Sequence, residues 1–183
     1  MKINVDAVAM DYDRTIADEK KGFRISDDVK KQLLLFDQFK LILATGRMSD
    51  DIPDRDVLEI FDAMVTENGT IVSFDGGKRK KVLVNDEGWK GVRSEIADIM
   101  ADNRMPMFKG EVVLAGYKDD TPKLCKKLRS AGLSKKIELQ FNKEGVLILP
   151  KGWDKGRGVR EAMEVMGCKR YLGIGDDLND LAL

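Results

Sequence analysis

Short apolar runs that end on acidic or hydroxyl residues set the strongest limit on how this chain can fold. Val5 to Met10 leads into Asp11, Leu41 to Ala44 into Thr45-Gly46-Arg47, and Tyr171 to Ile174 into Gly175 to Asp180. Runs this short, bounded by turn residues, read as strands of a buried parallel sheet. Helical patterns lie between them. Ser26 can cap a helix whose apolar face is Val29, Leu33, Leu34 and Phe36. Lys155-Gly156 opens a helix carrying Val159, Ala162, Met163 and Met166. Strand, helix, strand, with polar residues collected after the strand ends, predicts an α/β fold. It is a doubly wound parallel-sheet, Rossmann-like core with its site at the carboxyl edge.

Val57 to Phe61 reads as a short helical segment and Ala63 to Val65 as a third strand. Glu67-Asn68-Gly69 then turns the chain into a strand from Thr70 to Phe74. The rhythm changes at Asp75-Gly76-Gly77. Lys81 to Val84 and Glu111 to Ala115 read as strands, and Trp89, Val92, Ile96, Ile99 and Met100 share one helical face. Met105, Met107, Phe108 and Lys109 fall in a loop of this segment. Thr121 and Pro122 open a helix as N-cap and first-turn proline, and Gly132 closes it. Ile137 to Phe141 and Val146 to Leu149 form a hairpin. Residues 78–149 are thus expected to be an inserted α+β unit of about 70 residues. Residues 1–77 and 150–183 make a discontinuous core.

Composition removes several chemistries. The 183 residues include no histidine, which excludes Ser-His-Asp and Cys-His catalysis and imidazole zinc sites. The two cysteines, Cys125 and Cys168, stand far apart without a CxxC, so neither a disulfide framework nor a thiolate zinc site is implied. Acidic and basic residues balance at 32 each, which gives no net field for nucleic acid or an anionic membrane. No apolar run approaches the roughly 18 residues of a membrane span. A cytoplasmic location is the default expectation.

Side chains two apart on a strand share a face, so Asp11 and Asp13 point the same way. Two carboxylates held together repel, and one tends to have its pKa raised. That suits a pair in which one attacks as an anion and the other donates a proton. Asp is also common in turns and caps, so the pair alone leaves both readings open. Thr45 and the backbone N–H groups after it can hold a phosphate, or Thr45 can cap the next helix. Lys155 can neutralise phosphate as a point charge or simply be solvated. Gly175 to Asp180 is the strongest single signal. Asp176 and Asp180 flank Asn179 after a hydrophobic strand, and hard oxygen ligands on a tight turn suit Mg²⁺. Asp177 stands beside Asp176. If the strands are neighbours, Asp11, Asp13, Asp176 and Asp180 converge on Lys155, and a divalent cation is the simplest further compensation.

Asp-x-Asp-x-Thr at 11–15, Thr-Gly-Arg at 45–47, Lys-Gly at 155–156 and Gly-Asp-x-x-Asn-Asp at 175–180 resemble, in order, the four motifs of the haloacid dehalogenase superfamily. The insert and Glu67-Asn68-Gly69 resemble its larger-cap branch of sugar-phosphate and phosphoglycolate phosphatases. The resemblance implies a Mg²⁺-dependent phosphomonoesterase in which Asp11 becomes an aspartyl phosphate and Asp13 is the general acid and base. It implies Mg²⁺ on the Asp11 carboxylate, the Asp13 carbonyl and Asp176, with Asp180 orienting Lys155 or a metal-bound water. Thr45, Gly46, Lys155 and Asn179 would contact the phosphate. The expected partner is a small phosphorylated metabolite, not nucleic acid or a membrane, and an oligomer is left open. A phosphomutase, or an inactive phosphate- and metal-binding subunit, would share these residues. Family members continue further after the last motif, so a core shortened at its C-terminal end is expected.

Overall fold

The computed structural model describes residues 4–84, 86–142, 145–176, 180, 182 and 183. In chain order, the first elements are β1 (Ala7–Asp11), α1 (Asp27–Leu33), β2 (Lys40–Ala44), β3 (Ala63–Thr66), β4 (Ile71–Phe74) and β5 (Arg79–Val82). Next come α2 (Glu87–Asp102), β6 (Met107–Lys109), β7 (Leu114–Tyr117), α3 (Thr121–Ser130), β8 (Ile137–Phe141) and β9 (Gly145–Pro150). The chain ends with α4 (Lys155–Met166) and β10 (Tyr171–Ile174). It divides into two compact units, Met1–Leu83 with Asp154–Leu183, and Val84–Trp153.

The first unit is built on a six-stranded sheet of order β10-β1-β2-β3-β4-β5. β10, β1, β2 and β3 are parallel, and β4 and β5 extend the sheet antiparallel. Strand alternation sorts the side chains into two apolar layers. Ala7, Ala9, Ile42 and Ala44 pack with Val159, Ala162 and Met163 of α4. Val8, Met10, Leu41 and Leu43 pack on the other face with Leu33 of α1, Ile25 and Ile52. Ile42 and Leu43 are both fully buried, and each such side chain contributes about 1.5–3 kcal/mol by leaving water. Ser26 caps α1, its Oγ accepting the Val29 N–H at 3.3 Å. Residues 55–60 form a 3-10 helix where the sequence predicts a short helical turn.

The second unit is an antiparallel sheet of order β6-β7-β9-β8 with α2 and α3. α2 buries Trp89, Val92, Ile96, Ala97 and Met100, and the Trp89 indole donates to the Val112 carbonyl at 2.9 Å.

Several elements differ from the sequence reading. The insert is expected to begin at residue 78, but β5 pairs with β4 in the first unit's sheet. Exposed Arg79 and Lys80 on that edge strand hide its membership, because an edge needs no continuous apolar run. Met107–Lys109 is not a loop but an edge strand paired to β7. β7 starts at Leu114 rather than Glu111. Asp120, not Thr121, stands at the N-cap of α3, because a 3-10 turn from Lys118 to Asp120 runs straight into the helix.

Candidate active site

The topology reverses at β1. The chain leaves β1 towards β2 on one side, while β10 joins on the other, and such a switch point opens a crevice at the carboxyl ends. Register sets the depth. Asp11, the last residue of β1, lies level with Ala44, and Met10 with Ile174. Thr45 and Gly175 therefore leave their strands beside Asp11.

Lys155 reaches the same place from the first turn of α4. The side chain of Asp154 caps that helix by accepting the Arg157 N–H at 2.8 Å. Two glycines bring the helix in. Glu67, Asn68 and Gly69 all have positive φ, and a Cβ on Gly69 would lie 1.9 Å from the Asp154 carbonyl oxygen. A Cβ on Gly158 would lie 2.7 Å from the Gly69 Cα and 2.5 Å from Val65 Cγ1. Only glycine at both positions allows the turn and the helix to meet at this distance.

The site is a set of charge pairs. Lys155 is buried and donates to Asp11 Oδ1 at 2.5 Å and to Asp180 Oδ1 at 2.7 Å. Thr15 donates to Asp11 Oδ2 at 3.2 Å. The second Asp180 oxygen accepts the Asp176 N–H at 3.2 Å. Arg14, at φ 64°, turns back and pairs with Asp176 at 3.1 Å. Arg47 grips Asp13 with two nitrogens, at 2.9 Å from Nε and 2.7 Å from Nη2. The sequence reading sets Lys155 alone against four carboxylates. In the structure Arg14 and Arg47 share that task.

Thr45 is fully buried, and its Oγ1 accepts the Arg47 N–H at 3.1 Å, which leaves the hydroxyl proton for another acceptor. Gly46 follows it, half-buried, in the turn after β2. Asn179 and Asp177 lie outside the described residues. The Tyr12–Asp54 contact carries no sequence signal. Asp54 is buried and lies 3.1 Å from the Tyr12 hydroxyl, and it accepts the Ile25 N–H at 2.7 Å, tying the loop after β1 to the segment after β2.

Carboxylate oxygens of Asp11, Asp176 and Asp180 lie within 4.8 Å of one another. Hard oxygen donors this close fit Mg²⁺, which takes a few carboxylates and keeps several waters. Asp176 is exposed, so an ion has an approach from solvent. Burial lifts the Asp11 pKa from 3.8 to about 6, Lys155 opposing the rise and Asp180 and Asp13 adding to it. In chelator, the Asp11 carboxyl carbon followed by NMR should titrate near pH 6, and a midpoint at or below 3.8 would overturn this account of the site.

A phosphoglycolate phosphatase of Saccharolobus solfataricus is 32% identical over 180 residues, covering 96% of this chain and 74% of that protein. A phosphoglycolate phosphatase of Sulfurisphaera tokodaii is 26% identical over 189 residues, covering 96% and 75%. No family model matches the chain. A solved sugar phosphatase of haloacid dehalogenase subclass IIB superposes with a TM-score of 0.73 at 15% identity, covering 97% of this chain and 83% of that one. Fold and site together define an α/β phosphatase with an added sheet domain. The chain belongs to the haloacid dehalogenase superfamily of phosphatases. No helix among the described residues is long and apolar enough to cross a membrane.

Proposed function

We propose that this enzyme hydrolyses a small phosphomonoester, such as phosphoglycolate or a sugar phosphate, through a phosphorylated Asp11. One observation carries the reading: buried Asp11 is joined through Lys155 to Asp180, with Asp176 close by at the carboxyl edge. An Asp11 oxygen attacks phosphorus and the ester P–O bond breaks. Asp13 gives its proton to the leaving oxygen. Water then attacks the aspartyl phosphate while Asp13 takes a proton from it, and Asp11 and inorganic phosphate are released. Thr45, Gly46, Asn179 and Lys155 hold the phosphoryl oxygens. The Asp11, Asp176 and Asp180 carboxylates and the Asp13 carbonyl are the groups that would hold Mg²⁺. An ion held there would neutralise charge on the transferring group. All of these residues lie outside 84–153, which supports a cap role for that unit. The two relatives named as phosphoglycolate phosphatases support the choice of substrate.

The test is phosphate release from a panel of carboxylic-acid and sugar phosphates. Release should require Mg²⁺, with Ca²⁺ a poor substitute because it favours higher coordination. Turnover that survives exhaustive chelation would remove the metal from the proposal. A folded, Mg²⁺-loaded protein inert towards every ester would remove the hydrolysis.

A further inference from the structure

Arg47 holds more than its contact with Asp13 requires. A guanidinium has five N–H groups. Nε and one N–H of Nη2 engage Asp13, and one N–H of Nη1 engages the Asp51 carbonyl at 3.0 Å. Among the described residues, this leaves one N–H on each terminal nitrogen for another acceptor. The group is rigidly mounted. It stacks 4.8 Å from the Phe23 ring centroid and 5.6 Å from that of Tyr12. The Tyr12 hydroxyl lies 2.8 Å from the Phe23 carbonyl oxygen, which ties the Tyr12 side chain to the Phe23 backbone. The Arg47 side chain keeps 23% of its surface exposed.

Resting on the phosphatase reading, we propose that Arg47 anchors a carboxylate on the leaving group, so that the site selects phosphomonoesters of short hydroxy acids over those of neutral alcohols. The leaving oxygen must come within about 2.6–3.2 Å of Asp13 to take its proton. A carboxylate on the adjacent carbon lies roughly 3 Å beyond that oxygen on ordinary bond lengths. Arg47 Nη2 is 2.7 Å from Asp13 Oδ1, so its remaining N–H is within reach of that carboxylate. Guanidinium suits this task because a planar fork reads a carboxylate with two bonds, whereas a neutral alcohol returns neither charge nor matched acceptors. A sugar phosphate with no acid group would gain nothing from Arg47.

The test compares phosphonopropionate with propylphosphonate, unreactive analogues that differ only in carboxylate against methyl. Binding is measured by calorimetry with Mg²⁺ present, after circular dichroism confirms folding. The wild type should bind phosphonopropionate at least about tenfold more tightly, equivalent to about 1.4 kcal/mol. Arg47→Gln should bring the two within about twofold, and Arg47→Lys, which keeps the charge and loses the fork, should fall between. If Arg47→Gln does not fold, the drop in Arg47→Lys carries the comparison. Equal binding by the wild type, or an undiminished preference in the folded variants, overturns the anchor. Hydrolysis of p-nitrophenyl phosphate by the wild type reports separately on phosphoryl transfer. Its absence would count against the phosphatase reading, while the calorimetric comparison still decides the role of Arg47.

Discussion

Asp11→Asn should abolish phosphate release, with kcat falling by a factor on the order of 10⁴ or more, as expected when a covalent nucleophile is removed. The amide keeps the shape of the carboxylate and cannot attack phosphorus. Folding should survive, and the reason lies in the charge balance. Burial raises the Asp11 pKa to about 6, so the folded protein carries a cost for the ionised group above that pH. The folded pKa lies above the ordinary value, so the native state binds the proton more tightly than the unfolded chain. The cost is therefore relieved as pH falls from about 6 towards 3.8. Asp11→Asn removes it at neutral pH, and Lys155 keeps Asp180 as its partner. In chelator, the melting temperature of the variant relative to wild type should be higher at pH 7 than at pH 4. Wild-type-like turnover by Asp11→Asn would refute the nucleophile.

The second large effect is expected at Lys155. Its ammonium is almost wholly buried and bonds two buried carboxylates. Lys155→Met fills much of the same space but leaves both acids without their cation. Removing one partner from a buried ionic cluster costs about 3–5 kcal/mol. In chelator the variant should lose stability by that order, more at pH 8 than at pH 5, because burial already lifts the Asp11 pKa to about 6 and low pH protonates that carboxyl. Mg²⁺ should raise the melting temperature of Lys155→Met more than that of wild type, since the ion then supplies the missing positive charge. Turnover should fall as well, because Lys155 also faces the phosphate in the proposed mechanism. A variant within 1 kcal/mol of wild type in chelator at pH 8 would overturn this account, 1 kcal/mol being about the scale of an exposed ion pair.

Much of the core was legible before the structure. The runs ending at Met10 and Ala44 are central strands buried on both faces, and such strands need unbroken apolar residues. The run from Tyr171 to Ile174 is also a strand, though Leu172 and Ile174 stay exposed at the sheet edge. Edge strands were the weak point. Among the described residues, Arg79–Val82 and Met107–Lys109 pair on one side only, so their side chains carry little pattern. Residue types at the strand ends pointed to the acids, and the Lys-Gly pair that opens α4 pointed to Lys155. They gave no sign of Asp54, whose acceptance of the Ile25 N–H depends on two segments 29 residues apart being folded together.

The sequence by itself determined which chemistry the chain can carry. With no histidine, acid–base work falls to carboxylates, lysine, tyrosine or cysteine. Only the tertiary structure decided which charge answers which. Arg14 meets Asp176 across 162 residues, Lys155 meets Asp11 across 144, and Arg47 rather than Lys155 takes Asp13. Coulomb energy depends on distance through space, and order along the chain does not report that distance. The same holds for Gly69 and Gly158. Their need to lack a side chain arises only where the turn after β3 and the first turns of α4 come into contact, and that contact sets where Lys155 stands.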